Sequence, residues 1–184
     1  MSTKYDDLRG NEILTPLCNT LERLTSKDSK VLDVACGTGL LLIPVATRFD
    51  VEFFGSDMSL NMIKTAHKKA KNSNLKVRFL EADVHHMPFS DEYFDVLLST
   101  NAIHHFDLIK SLKECARVLK KGRSYVVFSR FREQNDRSFW GKHFPKFAVK
   151  ENRLYNMEEF VDAAEKVEEL VKRQNNFTLY SRNW

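Results

Sequence analysis

The sequence predicts an α/β domain in which a mostly parallel sheet carries helices on both faces. Apolar runs with the composition of buried strands alternate along the chain with segments of helical period. The first run, residues 31–34, leads into a glycine turn at Gly37 and Gly39 and then into an apolar segment. A strand, a glycine turn and a helix open the nucleotide-binding α/β units. A ligand is therefore expected at the carboxyl ends of the strands.

The amino-terminal part predicts a helix, a strand and a second helix. Residues 6–24 carry apolar side chains at near-helical spacing, although Gly10 and Pro16 predict an interruption. Residues 30–35 are rich in β-branched and leucine side chains, which favours a buried strand. The segment 38–49 is mostly apolar and predicts the helix that follows the glycine turn.

The middle of the chain repeats this alternation. Residues 51–56 predict a second strand, and Ser59 is a good N-cap for a helix that extends to about residue 70. Residues 76–81 alternate apolar and charged side chains, as a third strand would. Residues 94–99 form an apolar run of the kind that is buried on both faces of a parallel sheet.

The remaining elements follow the same order. Residues 107–119 predict a helix capped by the aspartate that begins it, and residues 124–128 predict a fifth strand. The segment 156–166 opens with the spacing of a capping box and predicts another helix. Residues 168–174 and 176–181 are expected to close the sheet as an antiparallel pair.

Composition favours one globular domain over the whole chain of 184 residues, 42% of which are hydrophobic. No apolar stretch approaches the ~20 residues that span a bilayer, and no secretion signal is evident at the amino terminus. The cysteines, Cys18, Cys36 and Cys115, are odd in number and contain no CxxC pair. This usage favours reduced thiols and a cytoplasmic location.

Basic residues concentrate late in the chain, where residues 117–153 contain eleven Lys or Arg against three acids. They form either a solvated face or a basic rim that attracts an anionic substrate. Aromatic side chains are interleaved with these cations, at Phe128, Phe131, Phe139, Trp140, Phe144 and Phe147. Three interpretations remain open: a satellite core, an apolar lid over a planar small molecule, or a stacking surface for single-stranded nucleic acid.

Three acidic residues at successive strand ends carry the chemical prediction. The carboxylate of Asp33 beside the glycine turn would repel a pyrophosphate but would attract a ligand with an ammonium and a sulfonium, such as S-adenosylmethionine. Asp57 follows the second strand and can accept both hydroxyls of a ribose. Asp83 follows the third strand and can accept from an exocyclic adenine amine, with the Val84 N–H directed to a ring nitrogen.

Four segments together resemble the class I S-adenosylmethionine-dependent methyltransferases, in the group that includes small-molecule and quinone-ring methylases. They are VLDVACGTG, GSDMSLNMI, FLEADVHHMPFSDEYFDVLLSTNAIHHF and ECARVLKKGRSYVVFSR. The resemblance covers about residues 30–130. It implies a Rossmann-like, doubly wound sheet of seven strands with an antiparallel last strand. Around this cofactor-binding core, we expect a helical segment over 1–28 and a lid and closing strands over 131–184. Ala35 departs from the pattern, since many members have glycine there.

The resemblance also implies which residues hold the cofactor, with S-adenosylhomocysteine as product. The expected cofactor-binding residues are Asp33, Ala35, Gly37, Gly39, Asp57, Met58, Asp83, Val84, Thr100 and Asn101. Met58 would pack on the adenine face, and the backbone near Thr100 and Asn101 would meet the methionine amine. Methyl transfer is an in-line displacement that depends mainly on positioning. A general base is needed only if the acceptor loses a proton, and His104 and His105 are the candidates.

Several alternatives stay open. The acceptor is expected to be a small molecule, whereas the basic stretch is the only support for an RNA or protein substrate. A partner subunit that binds the cofactor but catalyses no methyl transfer would have the same three acids, Asp33, Asp57 and Asp83. A nicotinamide dehydrogenase would need a third glycine where Leu42 stands. No metal is expected, because adjacent histidines such as His85 and His86 usually diverge and no other ligand has supporting spacing. The oligomeric state is not predicted.

Overall fold

The elements of the computed structural model follow the predicted alternation. The structure describes the backbone of residues 3–137, 153–171 and 176–181, and the side chains of residues 13–134 and 153–170. The strands are β1 (Lys30–Val34), β2 (Glu52–Asp57), β3 (Val77–Glu81), β4 (Phe94–Thr100), β5 (Leu119–Ser129) and β6 (Asn176–Ser181). The helices are α1 (Thr3–Leu24), α2 (Leu42–Ala46), α3 (Leu60–Asn72), α4 (Leu108–Val118), α5 (Arg132–Arg137) and α6 (Met157–Val171), with a 3-10 turn over Ile103–His105.

The strands form one sheet in the order β3-β2-β1-β4-β5-β6, and every neighbouring pair is parallel. The chain proceeds from β1 outward through β2 to β3 and then returns to the other side of β1 for β4. The strand order therefore reverses between β1 and β4. In open α/β sheets, ligands bind in the crevice outside the carboxyl ends of the strands at such a switch point.

Helices cover both faces of this sheet, as predicted. On one face α4 and α6 bury Leu112 and Phe160 against the side chain of Leu32. On the other face α1 and α2 bury Leu17 and Leu42 in the cluster that contains Val31. Because successive side chains of a strand point to opposite faces, β1 contributes alternately to the two cores and is held from both sides.

The predicted N-caps are confirmed. Each capping side chain accepts a hydrogen bond from the backbone N–H three residues later, which satisfies a donor that the helix leaves unpaired. The pairs are Ser59 with Met62 (3.5 Å), Asp107 with Lys110 (3.1 Å) and Asn156 with Glu159 (2.7 Å). The Glu159 carboxylate accepts in return from the Asn156 N–H (2.8 Å), which completes the capping box.

Two predictions near the amino terminus are wrong. The first helix is not interrupted: α1 includes Pro16, and buried Leu17 and Leu21 hold it against the sheet. The helix predicted over 38–49 is only the five residues of α2. The turn before it contains glycines at positive φ, and Leu41 supplies no capping side chain, so the helix begins late.

The predicted closing pair of antiparallel strands is also wrong. Residues 168–171 continue α6, whose buried side chains Phe160 and Val167 keep the helical period that faces the core. The segment 176–181 is β6, which lies parallel to β5. A seventh strand is not found within the described ranges. Part of the predicted aromatic cluster, at Phe139, Trp140, Phe144 and Phe147, lies outside the described residues.

Candidate functional site

The three predicted acids lie at the same edge of the sheet. Asp33 is near the end of β1, where it is in register with Gly55 of β2 and Leu98 of β4. Asp57 ends β2, and its carbonyl accepts from the Ala82 N–H (3.0 Å), directly before Asp83. The parallel order β3-β2-β1 therefore places all three carboxylates at the carboxyl edge, beside the switch point.

Asp33 is the most unusual of these acids, because its side chain is buried without adequate compensation. Only 2% of the residue is exposed, and within the described part of the chain no hydrogen bond reaches Oδ1. Burial, and then the charge of Asp57, raise its pKa to about 8. An unpaired buried carboxylate costs free energy. A cation placed beside it would relieve this cost.

The turn after β1 contains three residues at positive φ, and one of them borders open space. Ala35, Gly37 and Gly39 all have positive φ, at 56°, 55° and 71°. A Cβ on Gly37 would meet nothing within 4 Å, whereas one on Gly39 would lie 2.9 Å from Cδ1 of Ile43. Gly37 thus borders open space, and Gly39 allows the turn to pack on α2. Alanine at position 35 adopts the conformation that glycine favours, at the usual steric cost for an L-residue.

Asp57 ties this turn to β2. The Gly37 N–H donates to its Oδ2 (2.9 Å), and the Ser59 N–H donates to its Oδ1 (2.9 Å). A carboxylate has about four acceptor sites, so two remain for other donors. The half-buried carboxylate therefore fixes the glycine turn and still has capacity for ligand hydroxyls.

Met58 projects from this edge into the open. It is 75% exposed, so it is not part of the core. Leu60 and Met62, in the first turn of α3, are also exposed apolar side chains, at 46% and 43%. Exposed apolar groups next to convergent polar groups are typical of ligand sites.

Asp83 differs from Asp33 in being exposed and already hydrogen-bonded. Its Oδ1 accepts from the His85 N–H (2.9 Å) and lies 2.6 Å from Nδ1 of His85. The hydrogen bond from the His85 backbone is the largest of several causes that hold the pKa of Asp83 below its usual value. Val84 is buried, and within the described residues its N–H has no backbone acceptor. This loop therefore presents an ionised acceptor next to an available donor.

The end of β4 supplies the remaining predicted residues. Asn101 has a positive φ of 53°, and its N–H donates to the Phe128 carbonyl of β5 (2.7 Å), which anchors this end of β4 to its neighbour. His104 follows in the 3-10 turn and is half-buried, whereas His105 is exposed. Burial first, and then the charges of His105, Arg153 and Arg130, lower the pKa of His104 to about 4. His104 is therefore neutral at physiological pH.

Sequence reasoning did not foresee the role of His85. In the sequence His85 stands out only as half of a histidine pair, whereas the structure places its ring between Asp83 and the start of α4. The spacing Asp-x-His permits the first contact, but the second depends on a residue 22 positions later.

Among the described residues, no group of three or more His, Cys, Asp or Glu is arranged to hold a metal ion.

The four basic residues of the stretch 117–123 are accounted for by ion pairs. Arg117 bonds the carboxylates of Glu114 (2.6 Å) and Asp91 (2.8 Å). Lys120 and Arg123 both contact Asp95, at 2.9 and 3.3 Å.

No helix in the described ranges has the length and apolar character needed to cross a bilayer.

Comparison with known proteins agrees with this geometry. A family described as a methyltransferase domain matches residues 31–122, which include β1 through the start of β5. A sterol 4-C-methyltransferase of Caenorhabditis elegans is 28% identical over 183 residues, covering 94% of this chain and 54% of that protein. A demethylmenaquinone methyltransferase of Thermus thermophilus is 38% identical over 106 residues, covering 56% of this chain and 48% of that protein.

Solved structures share the fold. A SAM-dependent methyltransferase from Aquifex aeolicus superposes with a TM-score of 0.70 at 22% identity, covering 89% of this chain and 84% of that one. This chain spans about half the length of the two curated relatives. The matched family, the parallel sheet and the acids at its carboxyl edge lead to one assignment: the chain belongs to the class I S-adenosylmethionine-dependent methyltransferases.

Proposed function

We propose that this chain binds S-adenosylmethionine at the β1–β4 switch point and transfers its methyl group to a small-molecule acceptor. The observation that carries the proposal is the buried carboxyl of Asp33, whose Oδ1 has no partner within the described residues. A ligand with an ammonium supplies the missing partner. The open space beside Gly37 is compatible with a ligand at this position.

The residues present fit the two ends of this cofactor. Asp33 would hold the ammonium, and the glycine turn would lie along the methionine chain. The two free acceptor sites of Asp57 suit the two hydroxyls of a ribose. Met58 offers an exposed apolar side chain to the adenine face, while Asp83 and Val84 offer an acceptor and a donor to its edge.

When bound, the cofactor supplies an electrophilic methyl group on a sulfonium. The protein then has to orient the acceptor and exclude water, since positioning is the main requirement of an in-line displacement. His104 is placed just beyond β4 and is neutral, because its pKa is lowered to about 4. Its neutral ring has a free lone pair for a proton, but the lowered pKa makes it a weak base, so it would serve an acceptor that becomes strongly acidic in the reaction; His105 is the more exposed alternative.

The relatives support a small-molecule acceptor, since their names specify a sterol and a demethylmenaquinone. The groups that shift the pKa of His104 include Arg130 and Arg153, so the field beside it is positive. A positive field favours an acceptor that carries negative charge or develops it during the reaction. The buried free thiols of Cys18, Cys36 and Cys115 favour a reducing compartment, and we expect the protein to act in the cytoplasm.

Support for an RNA substrate is weaker in the structure than in the sequence. The basic residues of the stretch 117–123 form ion pairs with acids of the same fold, which accounts for them without a nucleic-acid partner. Binding that depended on phosphate contacts would weaken steeply with salt. RNA affinity that stays flat between low and physiological salt eliminates this alternative.

Calorimetry with S-adenosylmethionine and with NADH tests the proposal. We expect affinity on the order of micromolar for the first ligand, typical of a preformed polar site, and no binding of NADH. Binding of NADH alone would contradict the proposal. A radiolabelled methyl donor incubated with a cell extract then separates an enzyme, which labels a product, from a silent partner subunit, which binds the donor but transfers nothing.

A further inference from the structure

The loop after β3 contains a carboxylate that one residue contacts twice. Oδ1 of Asp83 accepts from the backbone N–H of His85 (2.9 Å) and lies 2.6 Å from that residue's Nδ1. The Asp83 carbonyl also accepts from the His86 N–H (3.0 Å), which closes the loop into a tight turn. Two donors converging on one oxygen fix the rotation of the carboxylate. Within the described residues, no hydrogen bond reaches Oδ2.

The opposite side of the His85 ring is held by the start of α4. The Asp107 N–H donates to Nε2 (3.0 Å), and the ring packs edge-on against Phe106, with centroids 6.4 Å apart. A backbone N–H can only donate, so Nε2 is the acceptor and the hydrogen of the neutral ring is on Nδ1. That tautomer donates to Asp83. The ring orientation and the direction of its donor are therefore both fixed.

The support for this ring is itself anchored. The Asp107 side chain caps α4 by accepting from the Lys110 N–H (3.1 Å), and the Tyr155 hydroxyl donates to the Phe106 carbonyl (2.6 Å). Tyr155 in turn accepts, through its carbonyl, from the Arg132 N–H (3.0 Å). His85 thus connects the exposed carboxylate of Asp83 to the start of α4 and, through Phe106 and Tyr155, to the start of α5.

From these contacts we propose that His85 is a positioning residue: it holds Oδ1 of Asp83 so that Oδ2 faces the site as an acceptor for the exocyclic amine of the cofactor's purine, and it thereby selects adenine. The inference rests on the proposed cofactor site. It adds that the selectivity comes from His85, which does not itself touch the ligand. The several donors that lower the pKa of Asp83 keep this acceptor ionised at neutral pH.

Two ligands measure this selectivity directly. S-adenosylhomocysteine carries the exocyclic amine, and its 6-deamino analogue carries hydrogen at the same position but keeps the ring nitrogens. We expect the unmodified protein to bind the first at least about tenfold more tightly, the usual effect of one hydrogen bond to a charged group. His85→Ala removes one of the two donors that fix Oδ1 of Asp83 and leaves only the backbone N–H, so this ratio should fall at least about threefold.

Two further variants separate the contacts of the ring. The amide of His85→Asn can donate from near the Nδ1 position and should retain the ratio of the unmodified protein. The longer amide of His85→Gln can reach the Asp107 N–H but not replace the Nδ1 donor, so the ratio should fall as in His85→Ala. His86→Ala is the matched control: its backbone bond to Asp83 remains, and the ratio should not change.

Each outcome decides a separate point. An unchanged ratio in both His85→Ala and His85→Gln would overturn the role of His85. If His85→Ala does not fold, the contrast between the Asn and Gln variants decides the question. Equal binding of both ligands by the unmodified protein would overturn the inference but leave the cofactor proposal intact. If it bound neither ligand, the proposed function itself would be wrong.

Discussion

Two buried aspartates lie at opposite edges of the same sheet, and they differ in how many hydrogen-bond and ionic partners their carboxyl groups have. Asp95, at the amino edge on β4, is 4% exposed and accepts from the Lys30 N–H (3.1 Å) and Lys120 Nζ (2.9 Å), with Arg123 at 3.3 Å. Asp33, at the carboxyl edge on β1, is 2% exposed, and its Oδ1 has no partner among the described residues.

The pKa values follow from this difference. Burial alone would raise the pKa of Asp95, but the hydrogen bonds from Lys120 and Lys30 and the charges of Lys120 and Arg123 hold it below its usual value. Burial raises the pKa of Asp33 to about 8, and Asp57 adds to the effect. The protein therefore supplies hydrogen-bond and ionic partners to Asp95, the acid that stabilises the fold. It leaves Oδ1 of Asp33, the acid that we assign to the ligand, without a partner among the described residues, at a cost in stability that ligand binding would recover.

The largest effect is expected from Asp33→Asn. Removing the charge that would face the cofactor's ammonium should weaken S-adenosylmethionine binding by about 3 kcal/mol or more, roughly a hundredfold. Stability should change in the other direction. The folded protein retains a proton on Asp33 that the unfolded chain releases above its ordinary pKa of 3.8, so the free energy of unfolding falls as pH rises from about 4 to about 8. Chemical denaturation at pH 8 should show the variant more stable by about 1–3 kcal/mol.

Asp95→Asn is the matched control for this experiment, because the opposite changes are expected from it. Its folded pKa is lowered, so its contribution to stability is present above the unfolded pKa and is lost as pH falls. We expect the substitution to reduce the free energy of unfolding at pH 7 by about 1–3 kcal/mol and to leave cofactor affinity unchanged. If both variants lost affinity equally, the distinction between the two edges would be wrong.

A smaller effect is expected from Asp57→Ala. Loss of the acceptor assigned to the ribose should weaken cofactor binding by about 1.5–3 kcal/mol. The Gly37 and Ser59 N–H groups also lose their acceptor, so the free energy of unfolding should fall by about 1 kcal/mol. Calorimetry and chemical denaturation measure the two changes.

Ser59→Ala is the appropriate control for Asp57→Ala. It removes the hydroxyl that caps α3 but keeps the backbone N–H that bonds Asp57. Stability should fall by about 1 kcal/mol with cofactor affinity unchanged. Unchanged affinity in Asp57→Ala would mean that the ribose is bound elsewhere.

The sequence was sufficient to predict which acids meet at the carboxyl edge, but not that buried Asp95 at the amino edge is paired while Oδ1 of buried Asp33 has no partner in the part of the chain that the structure describes. Asp33 was predictable because a strand and a glycine turn surround it, and parallel strands bring their carboxyl ends together. The pairing of Asp95 depends on Lys120 and Arg123, which become neighbours only through the β4–β5 register. The second contact of His85, to Asp107, depends in the same way on where α4 begins.

Predictions of secondary structure from local sequence patterns were wrong where tertiary packing overrides local preference. Pro16 predicted a break, but buried side chains on either side of it hold α1 together. Residues 168–171 predicted a strand, but their backbone continues α6 beyond buried Val167. The helix after the glycine turn was predicted too long because the positive φ at Gly39 delays its start.

The central claim is that the carboxyl group of Asp33 binds the ammonium of the ligand. Proton release on ligand binding tests this claim most directly. At pH 6.5 Asp33 is protonated, because its pKa is about 8, and the ligand's amine is protonated as well, because aliphatic α-amines titrate above this pH. Placing the ammonium beside Asp33 should expel the carboxyl proton. Calorimetry in buffers of different ionisation enthalpy should detect about one proton released per S-adenosylhomocysteine bound, and none for Asp33→Asn. No release by the unmodified protein, or the same release by the variant, would contradict the account.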